Sequence, residues 1–116
     1  MSHDIEKTLR ERLVKSHLDL IILWLLKTKP KWGYEINAEI RDRFKVYLSA
    51  GTLYPLLHNL EDKRYLKGVW ESEKGRGRRI YKITEEGSLY LAAGEKASHE
   101  LLRKLASATE HKRSDI

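Results

Sequence analysis

The chain has 116 residues, a formal net charge of +6 and no cysteine, which supports one domain with a modest core and excludes disulfides and thiolate metal sites. The charge excess is local: Lys63 to Lys82 holds eight basic residues against Glu71 and Glu73, while the rest of the chain carries fifteen of each sign. A patch of that kind attracts polyanions by counterion release, without saying which polyanion.

In chain order, the apolar residues Ile5, Leu9 and Leu13 and the dense run Leu18 to Leu26 predict one long helix over residues 5–28. The dense run is nine residues broken by Asp19, too short to cross a bilayer, for which about 20 residues are needed. Met-Ser-His-Asp-Ile-Glu-Lys at the start lacks the layout of a signal peptide, so a cytoplasmic location with no membrane association is expected. Lys29-Pro30-Lys31 ends the helix, since proline disfavours the helical conformation in the residue before it. Trp32-Gly33-Tyr34 opens a second helix to about Phe44, with Ile36, Ile40 and Phe44 at every fourth position.

In Ser49-Ala-Gly-Thr-Leu-Tyr-Pro-Leu-Leu-His-Asn-Leu60, Leu53, Leu56, Leu57 and Leu60 lie on one face of a third helix. Ser49 suits the N-cap, with Leu48 and Leu53 in the positions of a hydrophobic staple. Thr52 is the alternative cap, because it would put Pro55 where a missing N–H does not matter. Ser49 is favoured, and Pro55 then removes one backbone bond inside the helix. Tyr65 to Glu73 and Arg79 to Thr84 read as strands joined by Lys74-Gly-Arg-Gly-Arg78. Thr84-Glu-Glu-Gly87 caps a last helix to about Ala106, in which Gly87 and Gly94 each cost ~1 kcal/mol relative to alanine, so it needs packing partners.

These elements form a single winged helix-turn-helix domain over 1–116, mainly α with a small β-hairpin wing, in the order α-α-α-β-β-α. The N-terminal helix spans 5–28, the helix-turn-helix 33–64, the wing 65–84 and a C-terminal dimerisation helix 85–106. The third helix buries one side and offers Thr52, Tyr54, Pro55, His58 and Asn59 on the other, which fits a major groove, with the basic hairpin gripping adjacent phosphates. Both terminal helices carry more apolar stripe than the core can cover. A homodimer paired through Ile5, Leu9, Leu13, Leu101, Leu102 and Leu105 resolves both. A winged helix that binds protein or RNA as an assembly module is the competing reading.

Gly33-Tyr-Glu-Ile36, Ser49-Ala-Gly-Thr-Leu-Tyr-Pro-Leu-Leu57 and Gly75-Arg-Gly-Arg-Arg-Ile-Tyr-Lys-Ile-Thr-Glu-Glu-Gly87, with Leu18-Asp-Leu-Ile-Ile-Leu23, resemble the PadR family of transcriptional regulators. The resemblance covers roughly residues 9–95. It implies a prokaryotic, nucleoid-associated repressor that dimerises through its terminal helices and binds double-stranded DNA at a palindromic operator. Its third helix would read bases, and its wing would contact backbone or minor groove. Carried onto this chain, the DNA-binding residues are Tyr34, Ser49, Gly51, Thr52, Tyr54, His58, Lys74, Arg76, Arg78 and Arg79. The three arginines stand out because no acidic neighbour in the sequence is placed to pair with them. Ala50 departs from the proline often found there, and the short last helix resembles the compact branch of the family, not members with a long C-terminal extension.

Catalysis and cofactors are not expected. Ser16-His17-Leu18-Asp19 holds triad residue types, but neighbours on a helix point apart. The five histidines show no i, i+4 pair to chelate a metal. Since some family members sense phenolic acids or drugs, the resemblance also implies a small aromatic effector. Trp24 is the candidate pocket residue, with Trp32 and Trp70 as further lining or simply core.

Overall fold

The computed structural model describes residues 2–73 and 76–114. Its elements are α1 (Ser2–Ser16), α2 (Leu18–Leu26), β1 (Lys31–Trp32), α3 (Gly33–Phe44), α4 (Ala50–Asp62), β2 (Leu66–Glu73), β3 (Arg76–Ile83) and α5 (Glu85–Ser114). The fold is a winged helix, mostly helical with a three-stranded antiparallel sheet in the order β1-β3-β2.

Several boundaries differ from the sequence reading. The first helix breaks at His17, whose backbone sits at φ −114°, ψ 15°. Its Nδ1 and the Ser16 hydroxyl both donate to the Leu13 carbonyl, at 2.7 and 2.8 Å. Short polar side chains that bond nearby carbonyls compete with the helical ladder, and here they close α1. The second difference is the sheet: Lys31 and Trp32 add a third strand by pairing with Tyr81 and Ile80. Two residues carry no periodicity to read. Strand β3 also begins at Arg76, which pairs with Glu73, while Arg78 pairs with Glu71. Arg76 and Arg78 therefore stand in the strand and not in the connecting turn. Last, α5 continues to Ser114, well past Ala106.

The core gathers one face from each helix: Leu18, Ile22, Leu23, Leu25 and Leu26 of α2, Ile36 and Ile40 of α3, and Leu53, Leu57 and Leu60 of α4. Leu66, Tyr81 and Leu91 seal it from the sheet and α5. The stripe expected on the third helix is thus buried, apart from the partly buried Leu56. Ser49 holds the N-cap position, and Leu48 and Leu53 both lie in the core. Outside this core the molecule is elongated, 69 × 35 × 21 Å. Its radius of gyration is 17.6 Å, against roughly 13 Å for a compact chain of this length. The projecting parts are α1 and the far half of α5, where Ile5, Leu9, Leu13, Leu101, Leu102 and Leu105 are all exposed.

The two glycines that weaken α5 are explained by close approach. A Cβ at Gly87 would overlap the Tyr65 carbonyl oxygen, and one at Gly94 would collide with the Leu20 side chain. Thr84 secures the same junction. Its hydroxyl accepts from Gly87 N–H at 3.0 Å and donates to the Arg64 carbonyl at 2.6 Å, and its own N–H donates to Tyr65 O at 3.1 Å. Farther along, the Tyr90 hydroxyl donates to Asp19 Oδ2 at 2.5 Å while its ring stacks on Tyr65, centroids 4.4 Å apart. That hydrogen bond, with burial adding to it, pushes the Tyr90 phenol up to about 12.

Two measurements follow from this packing. Gly87→Ala should destabilise the fold by about 1–3 kcal/mol in urea unfolding, although alanine gains ~1 kcal/mol in an unobstructed helix. A stabilised variant would mean that the Tyr65 carbonyl yields easily. For Tyr90, a folded-state pKa above the ordinary phenol value makes its contribution complete below pH ~10 and lost as pH climbs towards ~12. Tyrosinate absorbance should therefore show a phenol titrating near 12 that Tyr90→Phe removes, leaving the raised Tyr81 phenol in place. The wild type should also lose more stability than Tyr90→Phe across that window.

Candidate nucleic-acid interface

The α3–turn–α4 unit is held by contacts that leave the outer face of α4 free. Glu35 Oε1 accepts from Trp32 N–H at 2.9 Å, satisfying one donor at the start of α3. At its other end Lys45 adopts the left-handed conformation, φ 58°, and donates to Arg41 O at 3.0 Å. Asn37 Nδ2 then donates to Leu48 O at 3.1 Å, pinning the connecting segment. Ser49 follows in extended conformation, its hydroxyl 3.2 Å from that of Thr52 and not bonded to a backbone N–H. Leu53, Leu57 and Leu60 point inward, so Gly51, Thr52, Tyr54, Pro55, His58 and Asn59 are left on the exposed side. None of these six is an Asp, Glu, Lys or Arg.

The C-terminus of α4 sets the direction of the wing. Tyr65 N–H donates to Leu60 O at 3.0 Å and Arg64 N–H to Glu61 O at 2.9 Å, the paired bonds of a Schellman motif. Arg64 takes the left-handed position at φ 65°. From there β2 and β3 rise beside α4, and a concavity of about 520 Å³ opens between them. Tyr34, Tyr54, His58 and Arg78 line it together with Trp32, Gly33, Trp70, Arg79 and Tyr81. Tyr54 packs closely against Gly33: an added Cβ there would sit 2.8 Å from its ring. The Arg78 guanidinium rests over the rings of Trp32 and Tyr34, 5.1 and 5.8 Å from their centroids.

Of the ten nominated residues, Tyr34, Tyr54, His58, Arg78 and Arg79 therefore line one concavity, and Ser49, Gly51 and Thr52 extend the surface along the start of α4. Lys74 lies outside the described residues, and Arg76 is placed only by its strand register. Arg79 differs from the expectation that nothing acidic stands near it. Its Nη2 donates to Glu61 Oε2, its side chain is only 24% exposed, and it is turned towards the base of the wing. Burial pushes the adjacent Tyr81 phenol up, an effect that Arg79 partly opposes. Sequence reasoning missed Glu61. The available signal was its place four residues after Leu57, an acid on the shoulder of an apolar stripe that calls for a cationic partner.

Trp24 sits elsewhere, half-exposed at 41% and edge-on to Phe44 at 6.2 Å, with Arg43 over its ring at 5.4 Å. It lines an open, largely apolar groove of about 460 Å³ with His17, Leu20, Ile21, Phe44, Leu91, Glu95 and Ser98. Trp32 and Trp70 do not share this groove; they belong to the concavity beside α4. No group of three metal-ligating side chains occurs among the described residues, and none of their helices is long and apolar enough to cross a membrane.

A three-helix unit with a bared, uncharged recognition face and a basic hairpin at its flank defines a winged-helix DNA-binding protein. The model of the transcriptional regulator PadR-like family matches residues 22–93, and the chain belongs to that family of DNA-binding transcription regulators. It is 32% identical over 88 residues to the transcriptional regulator Rv3488 of Mycobacterium tuberculosis, covering 76% of this chain and 71% of that one. It is 30% identical over 86 residues to the transcriptional activator GvpE1 of Halobacterium salinarum, covering 73% of this chain and 43% of the other. The solved PadR family transcriptional regulator of Eggerthella lenta superposes with a TM-score of 0.81 at 28% identity, covering 94% and 96% of the two chains.

Proposed function

We propose that this chain is a repressor that binds a palindromic operator as a homodimer, with α4 in the major groove and the wing on the adjacent backbone or minor groove. The observation that carries the reading is the neutral exposed face of α4, Gly51 to Asn59, standing beside Arg78 and the basic hairpin. Hydrogen-bonding and apolar side chains there suit base edges, while cations at the flank suit phosphates. The exposed stripes Ile5, Leu9, Leu13 and Leu101, Leu102 on the projecting helices support pairing of two copies. Repression is the role that the family resemblance implies. A cytoplasmic, nucleoid-associated location in a prokaryote accompanies the reading. The apolar groove at Trp24 supports a small aromatic effector, bound where α2, α5 and the end of α3 meet.

Fluorescence anisotropy against promoter DNA of its own gene, with scrambled duplex as control, tests the main claim. Promoter binding should exceed the control by about 10³-fold or more at fixed salt. It should weaken on Arg76→Ala with Arg78→Ala, with the log–log salt slope falling by ~0.9 for each phosphate that the variant no longer neutralises. Equal, salt-labile binding to both duplexes would leave only a basic surface and favour an assembly module. Dimerisation is checked by light scattering: the wild type should have twice the chain mass, and Leu9→Glu with Leu102→Glu should reduce it to one. A wild-type monomer at micromolar concentration would remove the paired-operator geometry, in which two recognition helices stand ~34 Å apart.

A further inference from the structure

We propose that Glu61 is a positioning residue for DNA binding, a negatively charged group whose work is to hold the wing at its working angle to α4. The inference rests on the operator-binding reading above. Glu61 lies at the C-terminal end of α4, next to DNA-facing cations, where a free carboxylate would only repel phosphates. It is not free. Its Oε2 accepts from Gly68 N–H at 3.1 Å and from Arg79 Nη2, so one carboxylate oxygen bridges both strands of the wing to the recognition helix. Arg79 Nη2 also reaches the Gly68 carbonyl at 3.4 Å, and its guanidinium lies 5.4 Å from the Trp70 ring centroid and 5.8 Å from that of Tyr81. Its Nε is buried without an acceptor among the described residues.

The strands are cut to fit this contact. Gly68 stands where any Cβ would overlap the Arg79 guanidinium. Arg78 and Arg79 are neighbours on one strand and both line the concavity, but only Arg79 meets Glu61. One arginine is consumed in locking the wing, and the other remains exposed over Trp32 and Tyr34. Beyond the turn at Arg64 and the Thr84 junction, the clamp is a further attachment of the hairpin to α4, placed farther up the strands.

The test turns on sign. Glu61→Gln removes a negative charge beside the DNA. If that charge acts only through the field, the variant binds the promoter duplex more tightly. If Glu61 positions the wing, it binds more weakly, by about tenfold, equivalent to ~1.4 kcal/mol. Its salt slope becomes shallower by ~0.9 for each phosphate the wing no longer reaches. Arg79→Lys conserves net charge but lacks the forked guanidinium, and it should fall in the same direction. Both are compared with wild type by anisotropy, well below the unfolding temperature read by circular dichroism. Glu61→Gln or Arg79→Lys binding at least as well as the wild type, with an unchanged slope, overturns the inference while leaving operator binding intact. A wild type with no preference for the promoter overturns both.

Discussion

The end of α4, the wing and α5 are oriented by the meeting of three chain segments at Thr84. One hydroxyl accepts from the start of α5 and donates to the turn that ends α4, while the adjacent N–H reaches the carbonyl at the base of the wing. The missing Cβ at Gly87 lets that carbonyl approach. Recognition helix, wing and projecting helix thus share one point of attachment. Polar groups at helix ends that would otherwise need water bond to one another there. Gly87 trades helix propensity for this proximity, a sacrifice that is visible only when the neighbouring segment is known.

Side-chain chemistry is divided with similar economy across the outer surface. The exposed face of α4 is neutral and the hairpin beside it is basic, so sequence-reading and charge-neutralising contacts fall on different elements. Arg78 keeps its charge available while its guanidinium is held over aromatic rings, an arrangement in which it loses less freedom when it engages an anion. Tyr54 spans both roles: its ring closes over Gly33 while it remains on the exposed side of α4.

Much of this was legible in the sequence where a feature repeats or punctuates. Leu53, Leu57 and Leu60 announce the buried stripe of α4. Ser49 marks its start by composition, and Thr84 with Glu85 and Glu86 marks the start of α5. What escaped depends on distant partners. The break at His17 comes from side chains capturing Leu13's carbonyl within a run that looks uniformly helical. Strand β1 is two residues whose identity as a strand exists only through Tyr81 and Ile80. Arg79 reads as a free cation because Glu61 is 18 positions away and meets it only after the wing folds back. The separation of Trp24, packed against Phe44, from Trp32 and Trp70 in the concavity beside α4 likewise follows from tertiary placement, which spacing along the chain does not encode.

The length of α5 has a mechanical corollary. Thirty residues at 1.5 Å each make a rod of about 45 Å that is packed as far as Gly94, so the remaining length is a lever of about 30 Å and a tilt of one degree displaces its tip by about 0.5 Å. Whatever surface the tip presents, its placement relative to α4 is an angle multiplied by a long radius. Tight geometry at Thr84 and Gly87 therefore acts as a bearing with little play. A loosened root would be felt most at the distant end, where no side chain had been altered.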